Sequence, residues 1–274
     1  NIRNNILIHK IFNFIFFEFI FLLLPEHIIS SSSASFIEIQ VIKEGENQII
    51  SDDYVFDYIP TISIDGGSSG TFSKIIDVPS SDSIIKLSFT SKLSNLSYMF
   101  SNLENIKSVN MNYMFGGNTS LNYTFQNCIN LETFSYVTRY NINYNIKNLT
   151  GMFYNCQSLK SFEFKNLYAD YYYQYYHTTP CPINYENCIP STSLIHLYNK
   201  INISYMFYNC QSLENVTFDS KTFNNISDMN YLFYNCYSLN NISLKTFRTT
   251  DSYINLNYLF YNCTKIESIK FPDS

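Results

Sequence analysis

Apolar positions recur along this chain at a spacing that no single helix or strand explains. A step of apolar residues at i, i+3 and i+5 returns at Ile84/Leu87/Phe89, Ile106/Val109/Met111, Leu131/Phe134/Tyr136, Leu159/Phe162/Phe164, Leu213/Val216/Phe218, Leu239/Ile242/Leu244 and Ile266/Ile269/Phe271, and weakly at Leu194/Leu197/Asn199. Its last two members alternate with polar residues, the period of a half-buried strand. Successive starts lie 22, 25, 28, 35, 19, 26 and 27 residues apart, which predicts eight coils of a solenoid. Each coil hides its apolar side only against its neighbours. At the strand spacing of about 4.8 Å per coil, the body would be about 35 to 40 Å long.

Five steps follow a common tetrapeptide, ending at Cys128, Cys156, Cys210, Cys236 and Cys263, with intervals of 28, 54, 26 and 27 residues. Two periods fit into the 54. The cysteines are expected to form an inward structural ladder of small buried side chains. The preceding Asn127, Asn155, Asn209, Asn235 and Asn262 would form another inward ladder, their amides satisfying backbone groups left unpaired by the turns. Upstream, Tyr98-Met99-Phe100, Tyr113-Met114-Phe115, Tyr205-Met206-Phe207, Tyr231-Leu232-Phe233 and Tyr258-Leu259-Phe260 form an aromatic step placed on the return side, facing inward.

The pattern YMFYNCQSLENVTF, returning at about 26 residues, resembles the leucine-rich repeats of BspA-like surface proteins over Ile84 to Phe271. The resemblance implies a β-rich, right-handed solenoid with a parallel sheet. It also implies a cell-surface or secreted protein, some of whose relatives bind matrix proteins or other cells.

Ahead of the repeats, Arg3 and Lys10 precede an apolar run from Ile11 to Leu24, and small residues follow from Ser30 to Ser35. This predicts a signal peptide over 1–35, with a signal anchor or a packed helix as alternatives. Residues 36–82 read as a small β module that closes the solenoid, with strands over Phe36–Ile42, Tyr54–Ile64 and Phe72–Val78. The solenoid then occupies 83–274. The glycines at 66, 67 and 70 read as a turn, since no lysine or helix start makes them a phosphate cradle. Asp52, Asp53, Asp57 and Asp65 read as solvated acids, because their spacing matches no calcium loop. The first residue is Asn1 and the last strand lies close to Ser274, so both termini read as truncated, with a membrane reached only through an N-terminal anchor or a missing C-terminal segment.

A Tyr-rich insertion at 166–190 holds Tyr171, Tyr172, Tyr173, Tyr175 and Tyr176, a candidate binding loop, and Cys181 and Cys188, a candidate disulfide. Polar residues between the apolar members of each step would line up as a candidate binding face: Glu132, Thr133, Ser135, Ser161, Glu163, His196, Tyr198, Glu214, Asn215, Thr217, Asn241 and Ser243. These columns are mostly Ser, Thr and Asn, without the converging acid and base that catalysis needs, so no catalytic residue, cofactor or metal site is expected. A net charge of −5 and no basic stripe argue against nucleic acid. Nine AsnXSer/Thr sequons, at Asn95, Asn118, Asn122, Asn148, Asn202, Asn215, Asn225, Asn241 and Asn262, would matter in a eukaryotic secretory pathway, with Asn262 expected to point inward. The expected function is binding or adhesion to a protein or glycan on another cell, host or matrix. A coat glycoprotein without a dedicated ligand, or a solenoid enzyme such as a glycan lyase, are the alternatives.

Overall fold

The computed structural model describes residues 35–112, 115–138, 146–166, 200–218, 226–245, 247 and 253–271. Residues 1–34 of the expected signal peptide, the tyrosine and cysteine positions of the insertion, His196 and Tyr198 lie outside the described residues. What is described is strand and turn, with no α-helix.

Five strands come first: β1 (Ser35–Val41), β2 (Gly45–Gln48), β3 (Thr61–Ile64), β4 (Ile75–Val78) and β5 (Ile85–Phe89). Beyond them the chain alternates between two sheets, as a solenoid must. The strands β6 (Leu93–Asn95), β8 (Phe115–Ser120), β10 (Ile146–Asn148), β12 (Ile201–Asn202) and β14 (Ile226–Asp228) lie parallel in one sheet. Their partners β7 (Ile106–Asn112), β9 (Thr133–Thr138), β11 (Ser161–Asn166) and β13 (Asn215–Phe218) lie parallel in another. The last pair, β15 (Asn241–Ser243) and β16 (Ser268–Lys270), is also parallel. The described residues thus make six coils of a leucine-rich-repeat-like β-solenoid.

In the inner coils the described apolar members of the step face inward, so Phe134, Phe162 and Val216 are buried between two exposed neighbours each, while in the last coil Ile266 and Ile269 are half-buried and Phe271 is exposed. A column of phenylalanines runs behind them. Phe100, Phe125, Phe153, Phe207, Phe233 and Phe260 stack with centroids 5.2, 5.3, 5.7, 5.5 and 5.5 Å apart, close to the strand spacing. Edge-on contacts from Phe134 and Phe162 lock this column, each pair contributing about 0.5 to 1.5 kcal/mol beyond area burial.

Three sequence expectations change here. The step at Ile84 is not a coil: β5 pairs antiparallel with β1 and β3, and β1 lies between β5 and β7. Alternation of apolar residues is common to both sheet types, so the pattern alone does not reveal strand direction. By pairing antiparallel with β7, β1 covers the row of backbone groups that the first coil would otherwise leave open. Secondly, the long strands expected at Tyr54 and Phe72 shorten to Thr61–Ile64 and Ile75–Val78. Tyr54 instead sits in a turn, donating its hydroxyl to the Asn95 carbonyl at 2.6 Å.

The third change concerns the 54-residue interval. Ser161 pairs directly with Asn215, and Asn148 with Asn202, so Cys156 and Cys210 belong to adjacent coils. The interval is one coil carrying a long insertion. The step at Leu194 inserts no strand between β11 and β13, and the strand columns close without His196 and Tyr198. Residue counting could not separate two periods from one period plus a loop, because lengthening a loop costs little free energy.

Candidate functional site

Two surfaces present regular arrays. On the strand face, Thr133, Ser135, Ser161, Glu163, Glu214, Asn215, Thr217, Asn241 and Ser243 are exposed and Glu132 is half-buried. Many of their columns are cross-linked from coil to coil. Lys160 Nζ lies 2.6 Å from Glu132 Oε2, Ser135 Oγ donates to Asn110 Oδ1 at 3.0 Å, and Ser268 Oγ donates to Asn241 Oδ1 at 2.5 Å. The hydrogen bond from Lys160, and then its charge, hold the Glu132 carboxyl below the usual carboxylate range.

The second surface lies on the turns that join the two sheets. In the first coil, Met99, Ser101 and Leu103 donate their N–H groups back within the coil, to Leu96, Tyr98 and Phe100. Tyr98, Phe100 and Asn102 donate forward to Asn122, Thr124 and Gln126 of the next coil, at 3.1, 2.9 and 2.7 Å. This alternation puts Tyr98 and Asn102 third in their turns, with φ of +61° and +63°, where a left-handed backbone is required. The same sign recurs at Tyr123, Tyr205, Tyr231 and Tyr258, and at Asn127, Asn155, Asn209, Asn235 and Asn262.

Asparagine is the expected occupant of such a position after glycine. Its side chain adds a second job. Asn127, Asn155 and Asn209 each donate Nδ2 to the Oδ1 of the asparagine one coil back, at 2.8, 2.9 and 2.6 Å, and Asn262 does so to Asn235 at 3.1 Å. The amides therefore pair with one another and not with orphaned backbone, and Asn262 is exposed, not inward. The turns satisfy their own N–H groups, which leaves the amides free to form the ladder.

Tyrosine is a costly choice for the other left-handed position, about 1 to 2 kcal/mol against glycine. The third coil shows what the backbone prefers, with Gly151 there at φ +58°. A Cβ at Gly151 would collide with the Tyr123 ring, which fills the place of the missing side chain. Contrary to the inward placement of the aromatic step, only its Met99/Phe100-type members are buried. The tyrosines face out, Tyr98, Tyr258 and Tyr261 being 42%, 55% and 51% exposed.

Together they pave the turn surface in two columns. Tyr98 stacks on Tyr123 at 5.5 Å, and Tyr205, Tyr231 and Tyr258 stack at 4.9 and 4.8 Å. Beside them Tyr154, Tyr208, Tyr234 and Tyr261 stack at 4.7 Å throughout. Tyr231 and Tyr234 touch across the columns at 5.5 Å. Burial, and then the neighbouring phenols, push Tyr123, Tyr154, Tyr208, Tyr231 and Tyr234 above the ordinary tyrosine range. The pavement is therefore uncharged at neutral pH, offering ring edges and hydroxyls on a rigid base. Sequence reading missed it because the YNC tetrapeptide shows only one column, and the positive φ that turns the other outward is not visible in composition.

Beneath the pavement, Cys128, Cys156, Cys210 and Cys236 are fully buried and Cys263 half-buried, and all five are free thiols. Each donates to the phenylalanine carbonyl one coil back, at 2.9, 3.0, 3.1, 3.1 and 2.8 Å. Burial pushes the first four thiols far above the ordinary range, which makes them poor nucleophiles. No group of three His, Cys, Asp or Glu side chains able to hold a metal occurs among the described residues, and no described helix is long and apolar enough to cross a membrane.

The sequons have a structural origin in three coils. Ser97, Thr150 and Ser204 donate their N–H to the Oδ1 of Asn95, Asn148 and Asn202, at 2.9, 2.9 and 2.8 Å. Asp228 and Asn255 accept in the same way from Asn230 and Asn257. A carbonyl-bearing side chain that caps the N–H two residues on is what this entry turn needs, and AsnXSer/Thr is one way of writing it.

A parallel β-solenoid with an asparagine ladder along its turns and cysteine and phenylalanine ladders inside defines a repeat protein of the leucine-rich class. Residues 183–274 match the family described as BspA type leucine rich repeat region, in six copies. The repeats of this stretch are of the BspA type, as the YNC pattern suggested. Residues 70–177 match a second family, described as Mycoplasma protein of unknown function, DUF285. No curated protein and no solved structure matches the chain.

Proposed function

We propose that this chain is a secreted or cell-surface repeat protein that binds another macromolecule, a protein on a host cell, a neighbouring cell or the matrix, through the tyrosine pavement. The observation that carries this reading is the two-column stack itself. In the column of Tyr98, Tyr123, Tyr205, Tyr231 and Tyr258, tyrosines occupy a backbone position that glycine fills more cheaply, and both columns lie on the outside, where core packing gives no reason for them. Tyrosine brings wide contact area and a polar tip at small entropic cost, and stacking has already removed most of that freedom before a partner arrives. The strand face, whose side chains are tied to one another, serves as the secondary contact surface. BspA-type repeats on the same chain support the surface location.

The test compares wild type with a Tyr208→Ser/Tyr234→Ser variant for retention on immobilised matrix proteins and on intact cells. Alongside, surface labelling of the native organism locates the protein. Loss of retention with an unchanged unfolding midpoint supports the proposal. Equal retention of both proteins, or a protein absent from the cell exterior and medium, overturns it.

A further inference from the structure

The tyrosine pavement has a gap. The position that Tyr154, Tyr208, Tyr234 and Tyr261 fill in later coils is Ser101 in the first coil and Gln126 in the second. Where those two rings are missing there is a cleft of about 810 Å³, closed on one side by the 51–55 loop of the N-terminal module. That volume falls in the range of small-ligand sites, roughly 300 to 1,000 Å³.

The cleft is also where both side-chain ladders begin. Tyr98, the first ring of its column, has one face covered by Tyr123 and no other ring contact among the described residues, which leaves its second face to the cleft. Asn102, the first amide of its ladder, accepts from Asn127 while its own Nδ2 donates to nothing among the described residues. Asp53, Asn122 and Gln126 line the same cleft, and among the described residues no side-chain hydrogen bond engages them there. The far wall is held before any ligand arrives: Lys74 Nζ donates to the carbonyls of Ser51, Asp52 and Tyr54, and Tyr54 donates to Asn95. No lysine or arginine lines the cleft, which removes the chemistry for a phosphate or sulfate.

We propose that this cleft binds a neutral oligosaccharide. An aromatic face takes the apolar C–H side of a sugar ring, while amides and one carboxylate take its hydroxyls, and this combination is what the two ladder ends supply. The site is separate from the protein-binding reading of the later coils and does not rest on it. Asn95 and Asn122 also line the cleft and stand in sequons, so a glycan attached to either would fill the space in place of a free ligand.

The experiment uses the protein made in bacteria, without N-glycans, and titrates cellotetraose, chitotetraose and mannotetraose up to about 10 mM, the weak end of specific binding, with saturation-transfer NMR as readout. At least one is expected to bind. Tyr98→Gly should weaken it by roughly tenfold, the upper range of an aromatic contact. The third coil shows that the backbone accepts glycine at this position. Asn102→Asp, which keeps the acceptor for Asn127 and removes the donor, should weaken it several-fold, the worth of one hydrogen bond. Tyr234→Ser should leave saccharide binding unchanged while it weakens retention on protein, which separates failure of this site from failure of the pavement. Should Tyr98→Gly misfold, Asn102→Asp decides alone. No binding by any of the three sugars, binding indifferent to the substitutions that fold, or native protein carrying a covalent glycan on Asn95 or Asn122 would each overturn the proposal.

Discussion

Replacing Asn209 separates what the left-handed backbone costs from what the amide ladder contributes. Asn209 has φ +59°, donates to Asn155 Oδ1 at 2.6 Å and accepts from Gln211 Nε2 at 3.1 Å. Asn209→Ala loses both hydrogen bonds, about 0.5 to 1.5 kcal/mol each, and with them the local bonding by which asparagine tolerates a left-handed backbone, which costs alanine up to about 1 to 2 kcal/mol. The sum is about 2 to 5 kcal/mol of destabilisation. Asn209→Gly loses the same bonds without the strain, although glycine has more unfolded-state freedom to lose, about 0.5 to 1 kcal/mol. Glycine should therefore come out about 1 kcal/mol more stable than alanine, a difference of about 2 to 4 °C in midpoint for a chain of this size. Urea or thermal unfolding followed by circular dichroism measures both. A glycine variant no more stable than the alanine variant would refute the positive φ, and two variants level with wild type would refute the ladder.

Peptide mapping after brief alkylation of folded protein should leave Cys128, Cys156, Cys210 and Cys236 unlabelled and modify Cys263 first, since only its thiol is half-buried; uniform labelling of the five would contradict the ladder. Gly151→Ala should lower the unfolding midpoint, by about 2 kcal/mol or more from strain plus the displaced Tyr123 ring, and adding Tyr123→Ala should restore part of it; a fully additive pair would show that the two do not meet. Glu132→Gln should change stability by less than about 0.5 kcal/mol at neutral pH, because the ion pair with Lys160 is exposed. The Glu132 carboxyl is depressed in the folded state, so whatever it contributes is present at neutral pH and disappears as pH falls through that lowered value. A stability gap between the two proteins that persists in acid would argue against the assignment.

Much of this fold was legible in the residues because a solenoid repeats its instructions. The apolar step, the cysteine and the phenylalanine each sit at a fixed offset, and in the inner coils each proved to be one buried column. The outward side was harder to read. Tyr205 and Phe207 are both aromatic and two residues apart, and only the reversed φ at Tyr205 sends one outward while the other stacks in the core. The Asn ladder was expected in the right residues but with the wrong partner, since its bonding depends on which N–H groups the turns consume.

What the sequence determined alone was the repeat: a period near 26 residues with buried positions that can be satisfied only by stacking on another copy of itself. What the tertiary structure decided was everything that depends on direction and adjacency. Strand polarity made Ile85–Phe89 part of the opening module, and direct pairing of β11 with β13 turned two supposed periods into one coil with an insertion. Two missing rings left a cleft beside Tyr98. A side chain's identity fixes whether it prefers water or core. Only the placement of the next coil fixes which of its faces remains uncovered.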